Sequence, residues 1–223
     1  MVTMKREIML RHAPLAGLAV ALINVLGFIF VEVVVRTPPP TSTPEQIATF
    51  FAEKGSSLLL GHYMLGLGAI CLIVFFAAMF TILASGDDSR FLALAGFASS
   101  VAATTLMLAS SAPQVSGVYL SQERTLSPAT AETMLYLGLG IFTAGHLPAA
   151  LALTATAVLM HRKPGFPNWL GWFTAAIAVL LLLPYIGWGS MPLLLLVWLL
   201  VVTLPVWRAG IRSTVRAEQP RGT

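Results

Sequence analysis

Charge is scarce in this chain. Of its 223 residues, 10% are charged and 57% are hydrophobic, whereas soluble domains carry roughly 25% charged residues. A water-soluble fold has no way to hide that much apolar surface at this length, so the composition belongs in lipid. Cysteine is almost missing too. Cys71 is the single one, which excludes an intrachain disulfide and a thiolate metal cluster; in an apolar run it reads as a small buried hydrophobe. No lysine lies within a long apolar run, which excludes a retinal-type Schiff base, and Glu32 is the one carboxylate inside such a run. A lone carboxylate makes neither a proton relay nor an acid–base pair. Gly-x-Ser-x-Gly, His-Glu-x-x-His and a phosphate-cradling glycine loop are also lacking in any usable context. The sequence therefore assigns no catalytic residue, no metal site and no cofactor.

What is there is a set of long apolar runs. Six of them suffice to cross ~30 Å of hydrocarbon at ~1.5 Å per residue: 15–35, 58–84, 91–112, 135–160, 169–186 and 191–207. The first is longer than the ~7–15 apolar residues of a signal peptide and ends in Val33-Val34-Val35-Arg36 without a small-x-small cleavage site, so it reads as an uncleaved span. The last is short, with Pro192 expected in its first turn, where a missing N–H costs little.

The basic residues orient these runs. With the N-terminus inside, Lys5, Arg6, Arg11, Arg90, Arg162, Lys163, Arg208, Arg212, Arg216 and Arg221 fall on the inner side, and only Arg36, Lys54 and Arg124 fall outside. Such a bias sets orientation, so both termini are expected in the cytoplasm of a multi-pass cell-membrane protein. The net charge of +4 sits at the ends of apolar runs rather than in a patch, which speaks against nucleic acid as a partner. Tyr63, Tyr119, Tyr136 and Tyr185 then lie at outer ends, and Trp169, Trp172 and Trp207 at inner ends, as headgroup-level rings do.

The expected outer segments are the longer ones. In the first, Pro38-Pro39-Pro40 is stiff, and Thr43-Pro44-Glu45-Gln46 has the form of an N-cap, a proline at N1 and a capping box. The spacing predicts a short amphipathic helix over 44–54, with Ile47, Phe50 and Phe51 on one face and Gly55 as its stop. This helix is expected on the outer membrane surface or over the bundle mouth. The second segment, 113–133, reads as a loop until Ser127-Pro128, another cap-plus-proline start. The third, 187–190, reads as a tight uncharged turn. Gly96, Ser100 and Thr104 at spacing four, Gly138, Gly145 and Ala152 at spacing seven, and Gly171 with Ala175 read as seams where helices approach closely.

Arg162-Lys163-Pro164-Gly165-Phe166-Pro167-Asn168-Trp169-Leu170-Gly171-Trp172 resembles the loop-to-fifth-helix signature of a bacterial six-span membrane family of unknown function. The chain is similar to that family also in its Thr-Pro-Glu-type helix in the first outer loop. The resemblance implies a six-span bundle over most of the chain and brings no activity or site residues with it.

Three ionisable residues lie within the apolar runs. Glu32, one turn inside the first, has Arg36 four residues on as a partner. His62 lies one turn into the second, and His146 ~16 Å into the fourth with Pro148 just beyond. Ser99, Ser100, Thr104 and Thr105 are candidate partners for His146. The two histidines differ in depth by ~10 Å, which argues against a shared haem or metal. Arg208, Arg212 and Arg216 recur at helical spacing and would rest on anionic headgroups.

The expected fold is all-α, a six-helix transmembrane bundle. The leading functional expectation is a non-enzymatic accessory or amphiphile-binding protein at the outer leaflet, with lipid, an amphiphile or another membrane protein as partner. The amphiphile would be held by Glu32, His62, Phe50 and Phe51 under a rim of Tyr63, Tyr136 and Tyr185, with His146 deeper. A small transporter and an intramembrane enzyme acting on a lipid-like substrate are the alternatives. A through-path would mark the transporter, a one-sided polar cavity the enzyme or binder, and a sealed core the accessory protein.

Overall fold

The computed structural model describes residues 30–39, 41–84, 87–123 and 126–218, together with Gly17, Ala19, Val20, Leu22, Ile23, Leu26 and Gly27, which are helical. The side chains of 31–33, 87–88, 184–189 and 210–218 lie outside the description. Among the described residues, a π-helical turn at Phe30–Val35 is followed by seven α-helices: α1 (Pro44–Leu83), α2 (Asp87–Ala109), α3 (Ser111–Glu123), α4 (Pro128–Ala144), α5 (His146–Arg162), α6 (Asn168–Leu182) and α7 (Pro184–Glu218). Among the described residues there is no strand.

Helix starts obey local chemistry. Thr43 N donates to Gln46 Oε1 at 2.8 Å, and Gln46 N to Thr43 Oγ1 at 3.4 Å, closing the expected capping box. Thr130 N donates to Ser127 Oγ at 3.2 Å, capping α4 with Pro128 at its start.

Two helix breaks also have one local cause. A helical residue donates to the carbonyl four positions back, and proline has no N–H to donate. Pro113 withdraws the donor from Ala109, and the break between α2 and α3 falls at Ser110; Pro148 does the same to Ala144, and α4 gives way to α5 at Gly145. Both pairs otherwise run on as long helices.

Among the described residues, four helices are long and apolar enough to cross a membrane: Pro44–Leu83, Ser89–Glu123, Pro128–Arg162 and Ser190–Ala209. Helix α6 is apolar but has 15 residues, about 22 Å. The first of the four has 40 residues, and the next two have 35 each, giving about 60 and 52 Å against ~30 Å of hydrocarbon. The excess of all three gathers at one end. There Val35, Ile47, Phe50, Phe51, Leu58, Val118, Leu126, Ala131 and Leu135 form a core of their own, here called the cap.

The second and larger core joins α1, α2, α5, α6 and α7 around Trp198. Trp198 is fully buried, stacks on Phe76 at 5.6 Å and donates from Nε1 to Thr174 Oγ1 at 3.1 Å. The outward faces carry Ile70, Phe91, Leu94, Leu147, Leu151 and Leu200, more than half exposed. Helices apolar on every side suit a lipid solvent.

Three boundaries differ from the expectation. Gly55 does not stop the cap helix; α1 continues through it to Leu83. A Cβ at Gly55 would lie 2.8 Å from Val118 Cγ1, so this glycine serves close helix approach rather than a turn. Accordingly Ile47, Phe50 and Phe51 are buried within the protein instead of lying on a membrane surface. Residues 113–123, expected as loop, continue as helix α3. Finally, α6 ends at Leu182 rather than 186, and the turn falls at Leu183. The expected turn at 187–190 is helical, and Pro192 lies inside α7 rather than in its first turn.

Candidate functional site: a polar layer between two cores

Gln114 follows the proline that breaks α2 from α3, and its side chain turns toward the neighbouring helices. Its Oε1 lies 3.1 Å from His62 Nε2 on α1. An amide oxygen only accepts, so His62 carries its proton on Nε2 and leaves Nδ1 as a bare acceptor. Nδ1 is buried and has no hydrogen-bond partner among the described residues. From the other side Gly138 of α4 closes in. A Cβ there would come within 2.8 Å of the Ser110 carbonyl oxygen and 2.9 Å of Gln114 Nε2. Three helices thus meet on one amide.

One helical stretch deeper lies His146. Its Nδ1 is 2.6 Å from the Thr143 carbonyl oxygen, which only accepts, so Nδ1 carries a proton. The break imposed by Pro148 makes the bond possible, because a side chain at the new helix start reaches back to the turn before it. Phe142 packs edge-on against the ring at 6.0 Å. Of the expected partners on the third span, Ser99 donates to Ala95 O, Ser100 to Phe97 O and Thr104 to Ser100 O.

The seam beside these residues is regular. Gly145 lies against α2, where a Cβ would be 3.5 Å from the Ala103 carbonyl oxygen, and Gly138 lies against Ser110. Further along, a Cβ on Gly96 would meet Ala155 Cβ at 2.9 Å and the Phe80 ring at 2.5 Å. Steps of seven on both antiparallel partners keep their backbones close.

The other candidate residues do not converge here. Phe50 and Phe51 touch at 5.7 Å inside the cap, where a Cβ on Gly117 would be 2.9 Å from the Phe51 ring. Ser121 Oγ donates to Phe51 O at 3.3 Å, tying α3 to α1. Tyr63 is 66% exposed and Tyr136 38%. Glu32 lies in the π-turn and its side chain is outside the described residues, as are those of Tyr185, Arg212 and Arg216. Arg208 is exposed on α7.

A small cavity lies below the polar layer between Leu72, Phe76, Ser100, Thr104, Ala149, Ala152 and Met191, with room for about one water molecule. Gln114 itself was not expected, since Pro113 reads as the end of a span. The legible signal was a lone amide between two apolar runs.

At the opposite end, several residues of the loop signature have a structural task. Lys163 Nζ donates to the Ile82 carbonyl oxygen in the last turn of α1, the favourable place for a cation at a helix C-terminus. Burial holds its pKa below the usual lysine range. Gly165 adopts φ 98°, which glycine alone takes freely. Phe166 and Leu170 are buried. Gly171 receives the His161 ring, 2.6 Å from where its Cβ would be, and His161 meets Trp172 edge-on at 5.1 Å. A family model described as "Domain of unknown function (DUF4386)" matches residues 15–211. The chain belongs to this family. The match takes in both the signature loop and the polar layer of this DUF4386 chain. No curated protein and no solved structure matches it.

Proposed function

We propose that this chain is an integral cell-membrane protein of six spans, N-in and C-in, with the cap outside. We infer that it acts as a non-enzymatic accessory protein at the outer leaflet. The observation that carries the reading is the filled cap: Phe51 occupies the space over Gly117, and Val118 that over Gly55. With its interior taken by its own side chains, the cap offers a surface rather than a chamber, formed by exposed Glu45, Thr49, Ala52, Glu53 and Ser56 of α1. The one-water cavity with its Ser100 and Thr104 hydroxyls donating to their own helix is a poor through-path, which weighs against the transporter.

Two experiments test this. Cysteines at Ser42 and Ser213 should label from opposite sides of intact cells, Ser42 from outside; labelling of both from outside ends the topology. A photo-crosslinker at Glu53 in native membranes should give a discrete protein adduct, and one at Leu94 lipid adducts only. Lipid adducts alone from Glu53 would refute the accessory role. A second reading, an outer-leaflet amphiphile, is favoured by His62 Nδ1, a buried acceptor that a headgroup donor would satisfy. It requires that His62→Leu change the lipids that copurify.

A further inference from the structure

Between the cap and the larger core, three helical rods cross a band with no fully buried large apolar side chain, its larger ones such as Met107 and Phe142 being only partly buried. On α1, between Leu58 and Ala69, the buried residues are Gly61 and Gly68. On α2 and α3, between Thr104 and Val118, they are Ser110, Pro113 and Gly117. On α4 and α5, between Leu135 and Ala149, they are Gly138, Gly145 and His146. The band is one level, because its members touch across helices: His62 bonds Gln114, Gly138 abuts Ser110, and Leu108 lies 3.8 Å from where Gly66 would carry a Cβ. Gly27, among the helical residues described before Phe30 and here called the first helix, faces Leu65 at the same level, 3.5 Å from where its Cβ would be.

Each element that crosses this waist is weakened there. The first helix has Gly27, α1 has Gly61, Gly66 and Gly68, and the other two rods are broken at Ser110 and Gly145. Glycine and a proline-broken turn bend at low cost, and a region poor in buried apolar contacts resists little. Among the described side chains, the cap core takes none from α6 or α7. Above and below the waist the packing is dense, with fully buried Ile47, Phe51 and Leu58 on one side and Leu153, Leu159 and Trp198 on the other.

We propose that the cap rocks as a rigid body on the membrane core, hinged at this waist. Dense modules joined through flexible crossings move by tilting, since packed cores do not deform continuously. The movement reshapes the layer that holds His62, Gln114 and the Thr143–His146 turn, and leaves both cores intact. It is a property of the fold independent of which face of the membrane the cap occupies.

Spin-label pairs in nanodiscs, in a Cys71→Ala background, test it by pulsed dipolar distances. Ala52 with Leu94 spans the waist, Thr133 with Thr154 spans the Gly145 break, and Ala52 with Ala129 lies within the cap; all are exposed. The two spanning pairs should give distributions at least twice as broad as the cap pair. Gly66→Ala with Gly140→Ala should narrow them toward the cap pair's width. Both methyls fit, since the first meets only Leu108 at 3.8 Å and the second nothing within 4 Å, and alanine stiffens a helix. Spanning distances as narrow as the cap pair overturn the proposal. So does a cap pair as broad as the spanning ones, or breadth unmoved by the double substitution.

Discussion

His62 of α1 donates from Nε2 to Gln114 Oε1 of α3 across 3.1 Å, joining residues 52 positions apart. Gly138 of α4 abuts the same amide. Together with Ser121 Oγ, which donates to Phe51 O, it links α1 and α3 through polar groups, and it stands at the level where the two cores part.

That link should show as coupling. Gln114→Leu leaves the His62 ring buried with neither nitrogen bonded to this amide, and should cost about 1–3 kcal/mol, while the His62→Leu, Gln114→Leu double variant should recover part of the loss. Thermal unfolding in detergent measures this, and strictly additive losses would show that the two side chains do not interact.

Gly138 and Gly140 should respond oppositely to alanine. At Gly138 the methyl would sit 2.8 Å from a backbone carbonyl that cannot swing aside, whereas at Gly140 it meets nothing within 4 Å. We expect Gly138→Ala to lose about 1–3 kcal/mol through overpacking, and Gly140→Ala to gain up to about 1 kcal/mol from helix propensity. Equal effects in an unfolding series would contradict the seam.

Lys163 predicts a pH dependence with a definite sign. Its folded pKa is held below the usual lysine value by burial, so the folded state releases its proton before the unfolded state does. Below the folded pKa both states are protonated and the burial cost is constant. As pH climbs from there toward the ordinary lysine value, the unfolded state holds more protons and stability rises. Wild type should therefore gain on Lys163→Met over that alkaline window, and parallel pH curves for the two proteins would disprove it.

The basic tail can be tested against lipid charge. Helix α7 continues to Glu218, which keeps Arg208, Arg212 and Arg216 at helical spacing beyond the apolar stretch. Neutralising all three should weaken the protein's association with anionic over zwitterionic lipid by about 1 kcal/mol per residue. An unchanged lipid preference would leave them as topology signals alone.

Wherever the physics was local, the residues could be read in order. The lipid-compatible composition needs only counting. The Thr43–Gln46 capping box and the Ser127–Pro128 start are each closed within three residues. The stretch from Arg162 to Trp172, whose turn and helix start are adjacent in the chain, likewise carried the resemblance to a family of unknown function, and the family model over 15–211 bears that resemblance out.

Gly55 shows where that reading stops. After an amphipathic stretch a glycine means either a helix stop or a close approach, and the choice belongs to Val118, 63 residues away. The same holds for Phe50 and Phe51, whose apolar face called for a cover that the sequence could equally take from lipid or ligand. Helix α3 supplied it, in a segment that Pro113 made look like loop. Gln114 gained its role, and His146 its carbonyl partner, only when two prolines broke two long helices side by side. Capping and composition are decided by neighbours in sequence, whereas covering a face or satisfying a buried ring depends on which helices come to lie together, and that is settled only by packing.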